Sequence, residues 1–326
     1  MREVTILAAG GTIAMKDGAG GRRGATPVLD AEGLLAAVPN AARMPGLRAR
    51  SVRSMPSPHL TLDDAFAVAQ AAREELAKGR GVVVTSGTDT LEELAVLCDA
   101  MCSDGPPIVL TGAIRPASAP GADGPANLAD SIAAARSDAT KGLGGIVCFA
   151  GELHAGREVR KVDSTAPHAF ASPRSGPLGR VVEGRVEVVM RTVRRPPLDV
   201  ARIDFHVPIA GTWLGDDGAL LRAAFGLEPD GLVLAALGGG HLSPDALAVL
   251  REGNDRIPVV VTLRPTRGAF LRSTYGYEGA EGDLLDAGVI PAGGLAPASA
   301  RMLLLAGMGA GLDREGLMGL FSGNVV

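Results

Sequence analysis

Apolar residues in this chain come in short unbroken runs rich in valine, isoleucine and leucine, separated by stretches where they recur at helical spacing. The runs fall at residues 4–9, 81–85, 108–112, 145–150, 186–190, 232–237 and 259–263. Continuous hydrophobicity, rather than alternation, is what strands buried on both faces of a parallel sheet need. Helical spacing predicts helices over residues 62–76, 91–101, 127–135 and 244–250, with Thr61 and Ser243 as the N-caps of the first and last. Strand and helix alternate, so the class is α/β, with a doubly wound parallel sheet in the larger part.

The pattern lapses over residues 192–211, where prolines and arginines replace it. At 326 residues the length suits two domains. The division expected is a larger N-terminal domain over 1–191, a linker over 192–211 and a smaller C-terminal α/β domain over 212–326. Arg191, Arg194 and Arg195 read as solvated linker residues. The glycine-rich stretch 18–24 reads either as a lid or as a plain flexible loop.

Composition narrows the function. Hydrophobic residues make up 46% and aromatic residues only 3%, so the core must be built from aliphatic side chains. A net charge of -4 argues against a nucleic-acid partner. Cys98, Cys102 and Cys148 suit neither a disulfide framework nor a zinc site and read as buried thiols. The histidines never fall at metal-ligand spacing, and no apolar run is long enough to span a bilayer. The first strand begins too early to leave room for a secretory signal. A cytoplasmic protein without metal, cofactor or membrane partner is expected.

Two short blocks carry candidate chemistry. Gly10-Gly11-Thr12-Ile13 and Gly87-Thr88-Asp89-Thr90 each stand directly behind an apolar run and ahead of a helical pattern. In an open α/β sheet this puts a hydroxyl and free backbone N–H groups at the carboxyl edge, where ligands bind. Neither block has the spacing of a dinucleotide fingerprint or a P-loop, and no serine elbow occurs. A threonine needs a neighbouring base to become a nucleophile. Asp89 follows Thr88 at once, and Lys161 is a candidate base or base-orienter because lysine, unlike arginine, can be tuned to release its proton. Alone, Lys161 would read as a surface charge.

These blocks, in order, resemble the bacterial-type L-asparaginase/glutaminase family. The resemblance extends through Leu110-Thr111-Gly112-Ala113-Ile114-Arg115-Pro116, Ala122-Asp123-Gly124-Pro125-Ala126-Asn127-Leu128, Lys161 and Ser172-Pro173-Arg174-Ser175-Gly176-Pro177-Leu178-Gly179. It continues more loosely through Leu237-Gly238-Gly239-Gly240-His241 and Gly293-Gly294-Leu295-Ala296-Pro297. It implies that Thr12 is the primary nucleophile and that Thr88, Asp89 and Lys161 form a second triad. Gly11, Ser57, Gly87 and Ala113 match positions that bind the substrate carboxylate or line the amide pocket. Glu281, with Glu278 as its rival, matches a substrate-binding glutamate contributed by a neighbouring subunit, so a homodimer or homotetramer is implied.

The implied reaction is hydrolysis of the side-chain amide of L-asparagine by threonine-dependent acyl transfer, without a cofactor. A glutaminase-asparaginase of broad specificity is the alternative, since the two substrates differ by one methylene. An amidotransferase subunit of the same family would be expected to carry a further N-terminal domain. A non-catalytic amino-acid sensor with this fold is the reading from another class. Several positions depart from the family pattern. Its loop tyrosine has no counterpart before Tyr275, leaving Tyr275, Tyr277 or Arg23 as stand-ins. Pro58 replaces a glutamine, His241 an asparagine, and Ser86 the histidine that precedes the second block in the family.

Overall fold

The computed structural model describes residues 2–17, 24–27, 29–38, 44–254 and 256–322. Arg23 and all but the last residue of the glycine-rich stretch 18–24 lie outside the described residues. The chain divides into two compact units, Met1–Leu198 and Asp199–Val326.

The first unit is built on an eight-stranded sheet. One strand in from its edge, β1 (Val4–Gly10) is followed by a short antiparallel pair, β2 (Met15–Asp17) and β3 (Ala25–Pro27). β1 lies between β4 (Leu47–Met55) and β5 (Gly81–Thr85), and the parallel run continues through β6 (Ile108–Thr111) and β7 (Gly145–Phe149). β8 (Glu152–Ala155) turns the sheet antiparallel. A two-residue ribbon, β9 (Arg160–Lys161) with β10 (Phe170–Ala171), leaves the sheet. The chain then returns as the edge hairpin β11 (Gly179–Val182) and β12 (Arg185–Val188).

Pleating sends alternate side chains to opposite faces. Val4, Ile6, Ala8, Val83 and Val109 share a core with α1 (Ala31–Ala36) and α4 (Gly124–Arg136). Residues between them point toward α2 (Leu62–Ala77) and α3 (Leu91–Met101), which pack on each other and on the sheet. The buried Thr5 hydroxyl donates to Glu75 of α2 at 2.7 Å, which fixes that sidedness. Thr61 caps α2 with a reciprocal capping box to Asp64. The sheet is thus wound on both faces, as the apolar runs imply.

Two expectations fail at the sheet edges. β4, nine residues long, was not expected, because at an edge its burial alternates and its sequence is full of arginines. Residues 186–190 form no buried parallel strand; β12 is antiparallel, partly exposed and ends at Val188.

The second unit carries a four-stranded parallel sheet in the order β13 (Ile209–Gly211), β14 (Leu232–Ala236), β15 (Val259–Leu263) and β16 (Ile290–Pro291). Its helices are α5 (Ala219–Gly226), α6 (Pro244–Gly253), α7 (Glu281–Asp286), α8 (Pro297–Gly309) and α9 (Arg314–Ser322). Ser243 caps α6 as expected. α8 is buried along most of its length, which explains why it lacks an amphipathic signature.

Residues 192–211 are not a free linker. The Arg194 guanidinium is ion-paired with buried Asp99, whose other oxygen takes Arg157, and it also donates to the Cys102 carbonyl at 2.7 Å. Arg191 donates to the carbonyls of Ala139 and Lys141 at 2.7 and 2.8 Å. The first unit therefore runs on to Leu198, and residues 209–211 are already a strand of the second. All three cysteines are buried and free, and burial pushes the Cys102 and Cys148 thiols up to about 12, leaving them inert. Among the described residues no helix is long and apolar enough to cross a membrane.

Candidate active site

The two threonine turns meet at the carboxyl edge of the first sheet. β1 and β5 are adjacent and parallel, so the segments leaving them emerge side by side. Gly10 and Gly11 take left-handed φ values of 91° and 86°. A side chain on Gly11 would fall onto the backbone of Gly87, and one on Gly10 onto the backbone of Met55. Glycine is required at both by conformation and by close approach together. The Gly11 N–H donates to the Met55 carbonyl at 3.1 Å, and Thr12–Ala14 then form a single 3-10 turn presenting Thr12 half-buried.

Gly87 is hemmed in from the other side. A Cβ there would lie 2.5 Å from the Ser57 hydroxyl, so the buried Ser57 stands against its α-carbon. A Cβ on Gly112, just past β6, would lie 2.6 Å from the Ser86 carbonyl and 3.2 Å from the Thr88 methyl. Gly11, Ser57, Gly87, Thr88 and the Gly112-Ala113 bend therefore form one contiguous surface.

Lys161 completes it. Its ammonium donates to the Thr88 hydroxyl at 2.8 Å and to the Asp89 carboxylate at 2.6 Å. The lysine side chain is 18% exposed and that of Asp89 is 60% exposed, so the pair opens to solvent on the aspartate side. A hydroxyl with an amine at hydrogen-bond distance, and a carboxylate on that amine, is the arrangement nucleophilic catalysis needs.

Behind this surface α4 holds the Gly112–Arg115 bend. Asn127 donates to the Gly112 carbonyl and accepts from the Ala150 N–H, each at 3.0 Å. Asp123 accepts from the N–H groups of Ile114 and Arg115 at 3.0 and 2.8 Å. The 110–116 and 122–128 blocks are thus two halves of one clamp. Among the described residues no group of three or more His, Cys, Asp or Glu side chains is placed to hold a metal ion.

Comparison with known proteins gives the family. Residues 3–194 match the family described as "Asparaginase, N-terminal", and residues 206–321 match the "Glutaminase/Asparaginase C-terminal domain". The chain belongs to the asparaginase family. It is 37% identical to a "Probable L-asparaginase" of Deinococcus radiodurans, covering 99% of this chain and 98% of that one. It is 31% identical to a "Glutaminase-asparaginase" of Pseudomonas fluorescens biotype A, over 77% of this chain and 72% of that one. A crystal structure of a "Probable Cytoplasmic L-asparaginase" from Campylobacter jejuni superposes with a TM-score of 0.86 at 28% identity, covering 98% of this chain and 99% of that one.

Within this asparaginase fold one expected site residue is corrected. Glu281 lies in the second unit with no exposed surface, at the first turn of α7. One of its oxygens accepts the N–H groups of Thr274 and Tyr275, the latter at 2.9 Å, and the other meets His241 Nε2 at 3.2 Å. Burial alone would push its carboxyl up, but these donors outweigh burial and hold it below the usual carboxylate range. With no exposed surface, such a carboxylate is out of a substrate's reach, whereas its rival Glu278 is exposed. Glu281 organises its own loop instead. Counting positions cannot distinguish a carboxylate turned inward from one turned out.

His241 is likewise occupied, with the Tyr275 and Tyr277 rings 5.1 and 5.6 Å from its own. Asp123, Asn127 and Glu92 were not singled out from sequence. The first two lay in plain view inside a quoted block, and their clamp appears only when the bend folds onto α4.

Proposed function

We propose that this chain hydrolyses the side-chain amide of L-asparagine to L-aspartate and ammonia, using the two threonine turns of the first unit. The observation that carries this is Lys161 bridging Thr88 and Asp89, on a turn whose backbone touches that of the Thr12 turn. Thr12 attacks the amide carbon, its hydroxyl proton passing to a water molecule as the C–O bond forms and the carbonyl opens to an oxyanion. Backbone N–H groups at the strand ends take that oxyanion, an interaction whose loss typically costs about 3–4 kcal/mol in the transition state. The oxyanion collapses and the C–N bond breaks as the departing amine takes that proton back from the water, giving ammonia and an acyl-threonine. Water held at the Thr88 hydroxyl beside Lys161 then attacks the ester carbon, its proton going to the departing Thr12 oxygen as the C–O bond breaks and L-aspartate leaves. Asp89, paired with Lys161, receives the substrate ammonium; Gly11, Ser57, Gly87 and Ala113 line the pocket.

Steady-state ammonia release on asparagine and glutamine tests this, with higher kcat/KM expected for asparagine. Equal values would favour the broad specificity that the Pseudomonas relative's name suggests. Lys161→Met with near-normal turnover would remove the second triad. Binding of asparagine in a calorimeter without ammonia release would leave a sensor in place of an enzyme. We also infer a cytoplasmic homo-oligomer, dimer or tetramer. A fully active monomer in light scattering would contradict the assembly, and secretion into the medium the location.

A further inference from the structure

Lys161 acts from a weak support. Its strand β9 is two residues long and pairs with a β10 of equal length, and so short a ribbon has little stability of its own. The lysine stem is flexible, so the ammonium reaches a fixed point only if the backbone beneath it is fixed. The Lys161 N–H is given to a side chain: it donates to Glu92 Oε2 at 2.7 Å. Glu92 stands in the first turn of α3, the helix that grows directly out of the turn bearing Thr88 and Asp89. A closed ring results, in which Lys161 is tied through its backbone to α3 and through its ammonium to the turn that begins α3.

A favourable charge at the helix N-terminus does not explain this placement. Glu93 occupies the same first turn, so the helix dipole has a carboxylate without Glu92. Glu92 is half-buried, and burial pushes its carboxyl up despite the Lys161 N–H and the charges of Arg160 and Lys161. Keeping a carboxylate there has a cost that a neutral or exposed residue would avoid.

We propose that Glu92 is the positioning residue of the lysine triad: by holding the Lys161 N–H it sets where the ammonium meets Thr88 and Asp89. The proposal rests on the reading of Lys161 as a participant in amide hydrolysis.

Ammonia release from asparagine, measured with melting temperature for Glu92→Ala, Glu92→Gln, Glu92→Asp, Lys161→Met and the Glu92→Ala/Lys161→Met pair, tests it. Displacing a reacting group by about 1 Å can cost about 100-fold, so Glu92→Ala should lower kcat by that order while KM stays within about 3-fold. Glu92→Gln, whose amide oxygen can accept the same N–H, should recover to within about 10-fold of the native rate. Glu92→Asp, charged but one methylene short, should be slower than Glu92→Gln. The double variant should be no slower than Lys161→Met alone, because a support has no effect once its amine is gone.

A merely structural glutamate would lower the melting temperature, leave kcat per folded molecule unchanged, and add its loss to that of Lys161→Met. Either that pattern or native kcat in Glu92→Ala overturns the proposal. If Glu92→Ala does not fold, the other two decide: Glu92→Asp at the native rate with Glu92→Gln slow would make charge, not reach, the operative property, and overturn it. Native turnover in Lys161→Met would instead overturn the underlying reading of Lys161.

Discussion

The turn that carries Thr88 and the turn that carries Thr12 leave neighbouring strands of one sheet, but different kinds of bond fix them. Around Thr88 the fastenings are side chains: Lys161 and Asp89 on the hydroxyl side, and the Asn127-held bend against the methyl. Around Thr12 they are backbone contacts. Gly11 donates to Met55, Leu29 donates to the Ala14 carbonyl at 2.9 Å, and Gly11 lies on Gly87. A side-chain hydrogen-bond partner for Thr88 is therefore part of the folded unit itself. Thr12 is placed by chain geometry, which aims a hydroxyl without activating it.

The sharpest way to break that comparison is to remove each hydroxyl in turn. Thr12→Ala and Thr88→Ala should each lower kcat by at least about 1,000-fold with the fold intact by circular dichroism, and the double variant should be little worse than either. A Thr12→Ala enzyme retaining a tenth of its activity would leave only one working turn. Next in size is Gly11→Ala, which places a methyl on the Gly87 backbone and demands a left-handed φ of an alanine. A stability loss of at least about 2 kcal/mol, read by urea denaturation, should accompany the loss of activity. If neither changes, the two turns are not in contact.

Asn127→Ala should act more gently, on the Thr88 side. It leaves the Gly112 carbonyl and Ala150 N–H without their partner, at about 1–3 kcal/mol, and should lower kcat/KM without abolishing it. The smallest effect concerns acid stability. Burial would raise the Glu75 carboxyl, but hydrogen bonds from Lys78, Arg80 and Thr5 hold it down, to about 2 against an ordinary 4.5. A depressed carboxylate stabilises the fold above its unfolded value, and that contribution is lost as pH falls through the interval between the two. Glu75→Gln should therefore narrow the gap in melting temperature between pH 7 and pH 3; an unchanged gap would show that Glu75 is not coupled to folding.

The centre of the sheet was legible because strands buried on both faces must be continuously apolar, and β5, α3 and β15 fall where the pattern puts them. The edges were not, since β4 and β12 each have an exposed side and alternate like many surface segments. Helix α8 was hidden for the opposite reason, being apolar on nearly every face. In the site, glycines before threonines gave the turns away, because close backbone approach leaves no other residue possible. Lys161 had no local signal at all, and its partners come from a distant helix start. Glu281 shows the reverse error: the right residue type at the right count, facing the wrong way.

Asp99 sits on α3 with two arginines on it, one of them Arg194 from the last residues of the first unit. Whoever cuts the two units apart should mind where the scissors fall. A fragment stopping at Arg191 discards one of two counter-ions from a carboxylate already shut away from water, the kind of severance that costs about 3–5 kcal/mol. Stopping at Leu198 keeps the buckle closed.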